Sequence, residues 1–571
     1  MKRIITLLLC FVLAANFGIV HVSAEEATSG TWGQLTWVLD AEGTLTISGE
    51  GEMAPDPDYP DPDRDPKWDH TKVKTAIIEE GVTSVGQAAF FGCTVLTKVI
   101  LPASVTVIET WAFYGCTALE SVDLPENLIT IEGAFIGCTS LKSIVIPESV
   151  KELSVFRDCS SLTELNIPKN VETVDTAMTR GCTSLTKLSV DKDNLVYYSE
   201  GNCIIETASK MLISGCSTSV IPNDVQAVGE YAFADCRGIK EFVIPEGVKT
   251  IKEYAFVGCE GLEKLDIADS VACIENNAFK GCISLKDVTL SNGLESIGVQ
   301  AFYNCSSLTG ISLPDTLIDI GEEAFDGCTS LKSIVIPESV TTIGWGAFSA
   351  CDSLEEITIP KNVDSMGLEI VSGCEKLVKI SVDKDNLVYH SEGNCIIETA
   401  SNTVIAGCKT SVIPYGVVAI SNYAFRACEG LRKAVIPSTV TSIGNCAFNM
   451  CRELEVIVIP NSVETIGSYA FEYSGNPDIY YIGTHEQWND IAIDSLDNSL
   501  LNIDSITFNY ALPKGDANGD LVVDNLDAST VLKYDAGIKD LIDIVTADYN
   551  EDGVVDNLDA TLILKYDAGL I

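Results

Sequence analysis

The chain has 571 residues, with 82 acidic side chains against 36 basic ones and a formal net charge of -46. A surface that acidic repels nucleic acid and anionic lipid and excludes both as partners. With 46% hydrophobic residues there is still ample material for a core, so the charge reads as solubility outside a cell and, in part, as cation capture.

Lys2 and Arg3 precede an apolar run from Ile4 to Val20, and Val22-Ser23-Ala24 suits small-residue cleavage. Residues 1–24 are therefore predicted to be a signal peptide, which makes the mature protein secreted. No later apolar run approaches the roughly 20 residues that a membrane span needs. Residues 25–75 are predicted to form an N-terminal β cap. Within them SGTWGQLTWVLDAEGTLTISG (29–49) alternates like a hairpin around a Glu-Gly turn, and PDPDYPDPDRDP (55–66) reads as a solvated loop.

From about residue 76 to 478 one unit recurs. Cysteines fall at 93, 116, 138, 159 and 182, at 236, 259, 282, 305, 328, 351 and 374, and at 428 and 451, with a dominant step of 23. A fixed period of this size signals a solenoid whose coils bury their apolar stripes only by stacking. In AFDGCTSLKSIVIPESVTTIGWG (324–346) the alternation of Ile334-Val335-Ile336 sends both isoleucines inward and Val335 outward, and Pro337 ends the strand. About sixteen such coils are expected. One cysteine per coil at one inward position predicts a column of buried thiols rather than disulfides, since parallel side chains do not meet in disulfide geometry.

A larger repeat lies inside the array. Residues 191–222 recur at 383–414, an offset of 192, and each copy lengthens one step to 54 residues. Their Cys-Ile-Ile-Glu-Thr-Ala-Ser runs predict hairpins protruding from a coil. Units with Val155-Phe156, Ala177-Met178 and Ile370-Val371 keep an apolar pair in the Ala-Phe slot. At the far end Ser474 takes the cysteine position, and residues 479–513 are predicted to be a closing cap with a short linker.

The AFxxCxxLxxIxIPxxVxxIG unit resembles the BspA-like leucine-rich repeat family of bacterial surface proteins. The resemblance implies a curved or gently twisted solenoid used in adhesion or protein binding, with no catalysis. The expected fold class is α/β by content but mostly β: a leucine-rich repeat solenoid with β caps and a small all-α module.

That module occupies 514–571, where GDANGDLVVDNLDASTVLKYDAG (515–537) and ADYNEDGVVDNLDATLILKYDAG (547–569) repeat at an offset of 32. Calcium takes six to eight oxygens, which an EF-hand-type loop supplies from positions 1, 3, 5, 7, 9 and 12. The first loop offers Asp516, Asn518, Asp520, the Val522 carbonyl, Asp524 and Asp527. The second offers Asp548, Asn550, Asp552, the Val554 carbonyl, Asp556 and Asp559. Position 6 favours glycine; it is Gly553 in the second loop and Leu521 in the first, and a left-handed leucine costs on the order of 1 kcal/mol. The first loop is therefore expected to bind the weaker of two Ca2+ ions.

Asp at position 12, one helix per loop and twelve of fifteen identities between Val523–Gly537 and 555–569 resemble a type I dockerin. The resemblance implies a cohesin domain of a scaffoldin as partner, a place in a cellulosome and a link to polysaccharide catabolism. By it the recognition residues are Asn525, Leu526, Leu532 and Lys533, with Asn557, Leu558, Leu564 and Lys565 as the alternative set.

Catalytic chemistry finds no foothold. His70, His390 and His485 lie far apart in the array, and there is no HExxH, GxxxxGK[ST] or paired CxxC. The exposed strand positions Asp123, Asn166, Asp266, Thr289, Ser312, Val335 and Thr358 offer no aromatic platform for sugars. The sequence thus predicts a secreted, non-catalytic binding or adhesion protein docked through cohesin, with a protein or glycan target on the solenoid. A free surface adhesin and an enzyme with an unrecognised site are the alternatives.

Overall fold

The computed structural model describes residues 27–53, 68–153, 156–494, 498–537 and 543–571. The expected signal peptide, the Pro-Asp loop at 55–66 and Val155 lie outside the described residues. Three strands, β1 (Thr28–Trp32), β2 (Leu35–Leu39) and β3 (Thr44–Ser48), pair antiparallel. Gly43 turns the second hairpin at φ +89°, and the Asp40 carboxylate accepts the Thr44 N–H. The pairing then changes sense: β3 runs parallel to Thr75–Ile78, which opens the solenoid. Trp32, Trp37 and Trp68 close over Phe90, so the first coil has an aromatic lid instead of a neighbour.

Most coils add one strand of three or four residues and one of two, in register with the coil before, and those around residues 120 and 143 keep only the two-residue strand. In the unit at 324–346 these are Ser333–Val335 and Thr342–Ile343, paired parallel with Gly310–Ser312 and Asp319–Ile320. The alternation holds: Ile334 and Ile336 are buried while Val335 is 80% exposed. The glycine of Val-x-x-Ile-Gly has a packing cause. A Cβ at Gly344 would lie 2.3 Å from the Glu322 nitrogen, so side-chain-free contact lets adjacent coils close up here.

Two columns run through the core. The phenylalanines of the Ala-Phe slot stack ring on ring, with Phe256, Phe279, Phe302, Phe325 and Phe348 spaced 5.2 to 5.7 Å. Beside them the Cys305, Cys328 and Cys351 thiols donate to the Phe279, Phe302 and Phe325 carbonyls of the preceding coil at 3.3 to 3.4 Å. Ser474 makes the same bond, to the Phe448 carbonyl. The cysteine is therefore a hydrogen-bond donor as well as a small apolar group, giving a second bond to a carbonyl that already accepts the cysteine N–H of its own coil. All 20 cysteines from Cys93 to Cys451 are free, and burial pushes thiols such as Cys282 and Cys328 up to about 12.

The long coils differ from expectation in two respects. The hairpins do not protrude. Tyr197–Glu200, Cys203–Glu206 and Met211–Ser214 form an antiparallel meander whose last strand pairs parallel with Ala227–Val228 of the next coil. Cys203, Ile204 and Ile205 are all buried, because the middle strand faces two cores: Ile204 belongs to the one reaching back to Trp32, Cys203 and Ile205 to the next. Cys395–Glu398 separates the second core from the third in the same way. Each 54-residue step also holds two coils, since Val225 N–H bonds Pro222 O just as Val340 N–H bonds Pro337 O in a regular one. With these coils and the caps the array winds about nineteen turns rather than sixteen. The slot before the first insert is occupied by Met178-Thr179, one residue later than Ala177-Met178: Phe156 N–H bonds Met178 O, as Phe302 N–H bonds Ala324 O.

The array ends on Asp478–Tyr481, helix α1 (His485–Asn489) and Ile506–Thr507. Thr484 and Gln487 form a capping box on α1, and Trp488 lies edge-on to buried Tyr481 at 5.0 Å. Among the described residues no helix is long and apolar enough to cross a membrane.

Candidate functional site

Beyond the cap the helices are α2 (Asn525–Asp535), α3 (Ile544–Ala547) and α4 (Asn557–Asp567). Ala528 and Val531 of α2 meet Ala560 and Ile563 of α4, with Ala517, Ala547 and Val555 completing a core of seven small side chains. Both long helices start on capping boxes. Asp524 accepts the Leu526 N–H while Asp527 accepts the Asp524 N–H, and Asp556 and Asp559 repeat this on α4. A box normally uses Glu or Gln at its third helical position. Aspartate here also reaches back along the loop, since Asp527 accepts the Asn518 N–H and Asp559 the Asn550 N–H. Positions 9 and 12 of each loop thus bind the helix start to the loop, a role that ligand counting did not reveal.

Position 1 organises the first half of each loop. Asp516 accepts N–H bonds from Gly519, Asp520 and Leu521, and Asp548 accepts from Asp552 and Gly553. Asp516, Asp527 and Asp559 are buried. Burial, together with neighbouring carboxylates, pushes Asp516 up to about 6, and burial does the same to Asp527, with Asp520 adding to it. Buried carboxylates with lone pairs to spare, alongside amide and carbonyl oxygens, are the hard-oxygen chemistry that calcium takes. The residues present fit that ion. Among the described residues, however, no group of three or more His, Cys, Asp or Glu converges as a closed metal cage.

The two loops are strained at different places. Leu521 is left-handed at φ +65°, as position 6 requires, and Gly553 matches it at +84°. Position 4 is left-handed as well, and there the residues are reversed: Gly519 at +80° and Glu551 at +62°. Each loop therefore carries one glycine and one strained residue, at about 1 kcal/mol apiece. The backbone argument for a weaker first loop cancels. Lys514 bridges to Glu551 at 2.8 Å and its ammonium lies 5.4 Å from the Tyr549 ring centre, so the residue before the first loop fastens onto the second.

All eight residues of the two expected recognition sets, Asn525, Leu526, Leu532 and Lys533 with Asn557, Leu558, Leu564 and Lys565, are exposed. The four leucines are 43 to 57% exposed, which removes them from the core. On the solenoid the three histidines stay apart: His70 lies by Trp68, His390 bonds Thr399 and His485 caps the far end against Phe508. Outer aromatics exist, but off the strand face. Tyr231 and Tyr254 stack at 4.8 Å with Arg180 over Tyr231, so each ring covers the other.

Residues 67–195, 213–315, 295–407 and 403–514 match the BspA type leucine rich repeat region, and residues 514–566 match the dockerin type I domain. A leucine-rich repeat protein from Eubacterium ventriosum is 24% identical with a TM-score of 0.51, the match covering 63% of this chain and 99% of that one. It shows likeness of fold. A leucine-rich repeat protein from Bacteroides ovatus is 21% identical over 86% of this chain and 100% of its own, with a TM-score of 0.33. A leucine rich cell surface protein from Faecalibacterium prausnitzii is 20% identical over 82% and 98%, also with a TM-score of 0.33. No curated protein matches the chain.

Proposed function

This chain belongs to the BspA type leucine rich repeat family, and from that premise we propose that it is a secreted, non-catalytic binding protein held in a cellulosome-like complex by its C-terminal dockerin type I domain. The observation that carries this reading is the dockerin itself: two loop-and-helix units in one fold, each presenting Asn, Leu, Leu and Lys to solvent.

In this reading calcium, when bound, supplies the positive charge that two acidic loops lack. Asp516, Asn518, Asp520, Asp524 and Asp527, with the Val522 carbonyl, would hold one ion. Asp548, Asn550, Asp552, Asp556 and Asp559, with the Val554 carbonyl, would hold the other. The protein's part is to fix the starts of α2 and α4, and with them Asn525-Leu526 and Asn557-Leu558, against a cohesin. Near-identity of the halves lets either set, Asn525, Leu526, Leu532 and Lys533 or Asn557, Leu558, Leu564 and Lys565, face the partner. The reading divides the chain into a signal peptide (1–24), N-terminal cap (25–75), solenoid (76–478), closing cap (479–513) and docking module (514–571).

Capture of the full mature chain on immobilised cohesin domains tests it. Retention that needs calcium and is lost on chelation supports docking. Changing Leu526 and Lys533 to alanine should leave retention within a few-fold, whereas changing Leu558 and Lys565 as well should abolish it. Absence of capture by every type I cohesin tried defeats the reading.

A further inference from the structure

Near the end of the array the two-residue strands Ala419–Ile420, Ser442–Ile443, Thr465–Ile466 and Ala492–Ile493 line an open groove of about 620 Å3. Its chemistry departs from that of the same surface one block earlier. At the positions 192 residues back stand Glu230, Lys252, Glu253 and Glu275; here they are Asn422, Gly444, Asn445 and Gly467. In the earlier copy Lys252 bridges Glu275 at 3.0 Å, two long side chains lying across the surface. Both partners of that ion pair are glycine in the later copy. Asp494 is the one charged residue among those lining the later surface.

The polar lining is amide and hydroxyl from Ser421, Asn422, Ser442, Asn445 and Thr465, with the Asp494 carboxylate at one end. Asn422 Oδ1 accepts the Asn445 N–H at 2.7 Å, and Asn445 Oδ1 accepts the Ser468 N–H at 2.8 Å. Both asparagines are exposed, and with the oxygens engaged the Nδ2 donors are what a ligand meets, one per coil. Behind the lining, Asn498 Nδ2 donates to the Gly467 and Asp494 carbonyls, while its Oδ1 is buried with no partner among the described residues.

We infer that this groove binds a neutral glycan chain lying along the stack. Sugar hydroxyls both donate and accept, which suits a rim of amide and hydroxyl groups. The coil repeat of about 4.8 Å is comparable to one sugar unit of an extended chain, so the rim groups recur in step with the ligand. An extended peptide fits less well. It is recognised by adding to a free strand edge, and Ser442–Ile443 is already paired on both sides, to Ala419–Ile420 and to Thr465–Ile466. An anionic ligand would meet a net charge of -46.

The inference deepens the reading above by naming where the solenoid takes its target, and it rests on the solenoid being the target-binding part. Affinity electrophoresis of the full mature chain in gels containing hydroxyethyl cellulose, glucomannan or xyloglucan tests it, followed by calorimetry on the best probe. The expected result is retardation by at least one of them, weakened at least tenfold by Asn422→Glu with Asn445→Glu, which puts back acids this surface carries eight coils earlier. Thr465→Trp, filling the groove from an exposed strand position, should do the same. Unretarded wild-type protein, variants that bind like wild type, or binding of a neutral Ser/Asn-rich peptide in place of glycan would each overturn it. Cohesin capture of the same variants should be unchanged, so loss of docking and loss of glycan binding are read separately.

Discussion

The solenoid and the docking module are both made by repetition, yet repetition stabilises them by opposite means. In the solenoid a regular 23-residue coil adds a buried phenylalanine, a buried cysteine and typically four or five larger aliphatic side chains, and the charge stays on the outer rows. In the module two repeats share seven small core residues while carboxylates such as Asp516, Asp527 and Asp559 are buried with them. One region gains stability by burying apolar area against a neighbour. The other buries negative charge, which in the proposed reading a bound cation offsets.

The largest expected effect separates the two outright. Scanning calorimetry of the full chain should show two transitions, of which chelation lowers or abolishes only that of the module. At calcium a hundredfold above its dissociation constant, one site alone adds about 2.7 kcal/mol. Two transitions that move together would break the distinction. Next, Phe302→Ala should cost about 3 to 5 kcal/mol as a cavity opens in the ring column, read as a lower denaturation midpoint of the solenoid with the module unchanged.

A smaller effect sharpens the comparison inside the module. Leu521→Gly and Glu551→Gly should each raise the affinity of their own loop by about 1 kcal/mol, because each relieves one left-handed residue. Calorimetric titration in which only Leu521→Gly gains would restore the view that the first loop alone is strained. The smallest concerns pH. Burial, with repulsion from Glu323 and Glu369, raises the Asp326 carboxyl to about 6, and Arg426 only partly offsets this. The folded state then holds this proton more tightly than the unfolded chain, whose aspartate titrates near 3.8. Solenoid stability should therefore rise slightly as pH falls from 7 through 6 toward 4, and Asp326→Asn should flatten that slope in melting curves.

How far the sequence could be read depended on whether the signal was local. Ile334-Val335-Ile336 announces which of its side chains are buried, and the Asp-x-Asn-x-Asp spacing in both loops announces a set of hard oxygen donors, because side-chain direction and ligand chemistry follow from neighbouring positions. The inserts were misread for the same reason. Cys203-Ile204-Ile205 is apolar on both faces, which suits a strand between two cores, but the polar Glu-Thr-Ala-Ser that follows it suits an exposed hairpin equally well. The left-handed Glu551 was hidden because its residue type carries no such preference.

The sequence by itself determined the period, the strand and loop positions, the inward cysteines, the two acidic loops and the near-identity of the docking halves, all of which repeat within one short window. Only the tertiary structure decided that the cysteine thiols bond the carbonyls of the coil before, that the inserts partition one core into three, that strain is shared between the two acidic loops, and that Asn422 and Asn445 line one groove. Each of these depends on atoms about 20 or more residues apart, or on backbone angles that residue type does not dictate, and so becomes visible only when the coils are stacked.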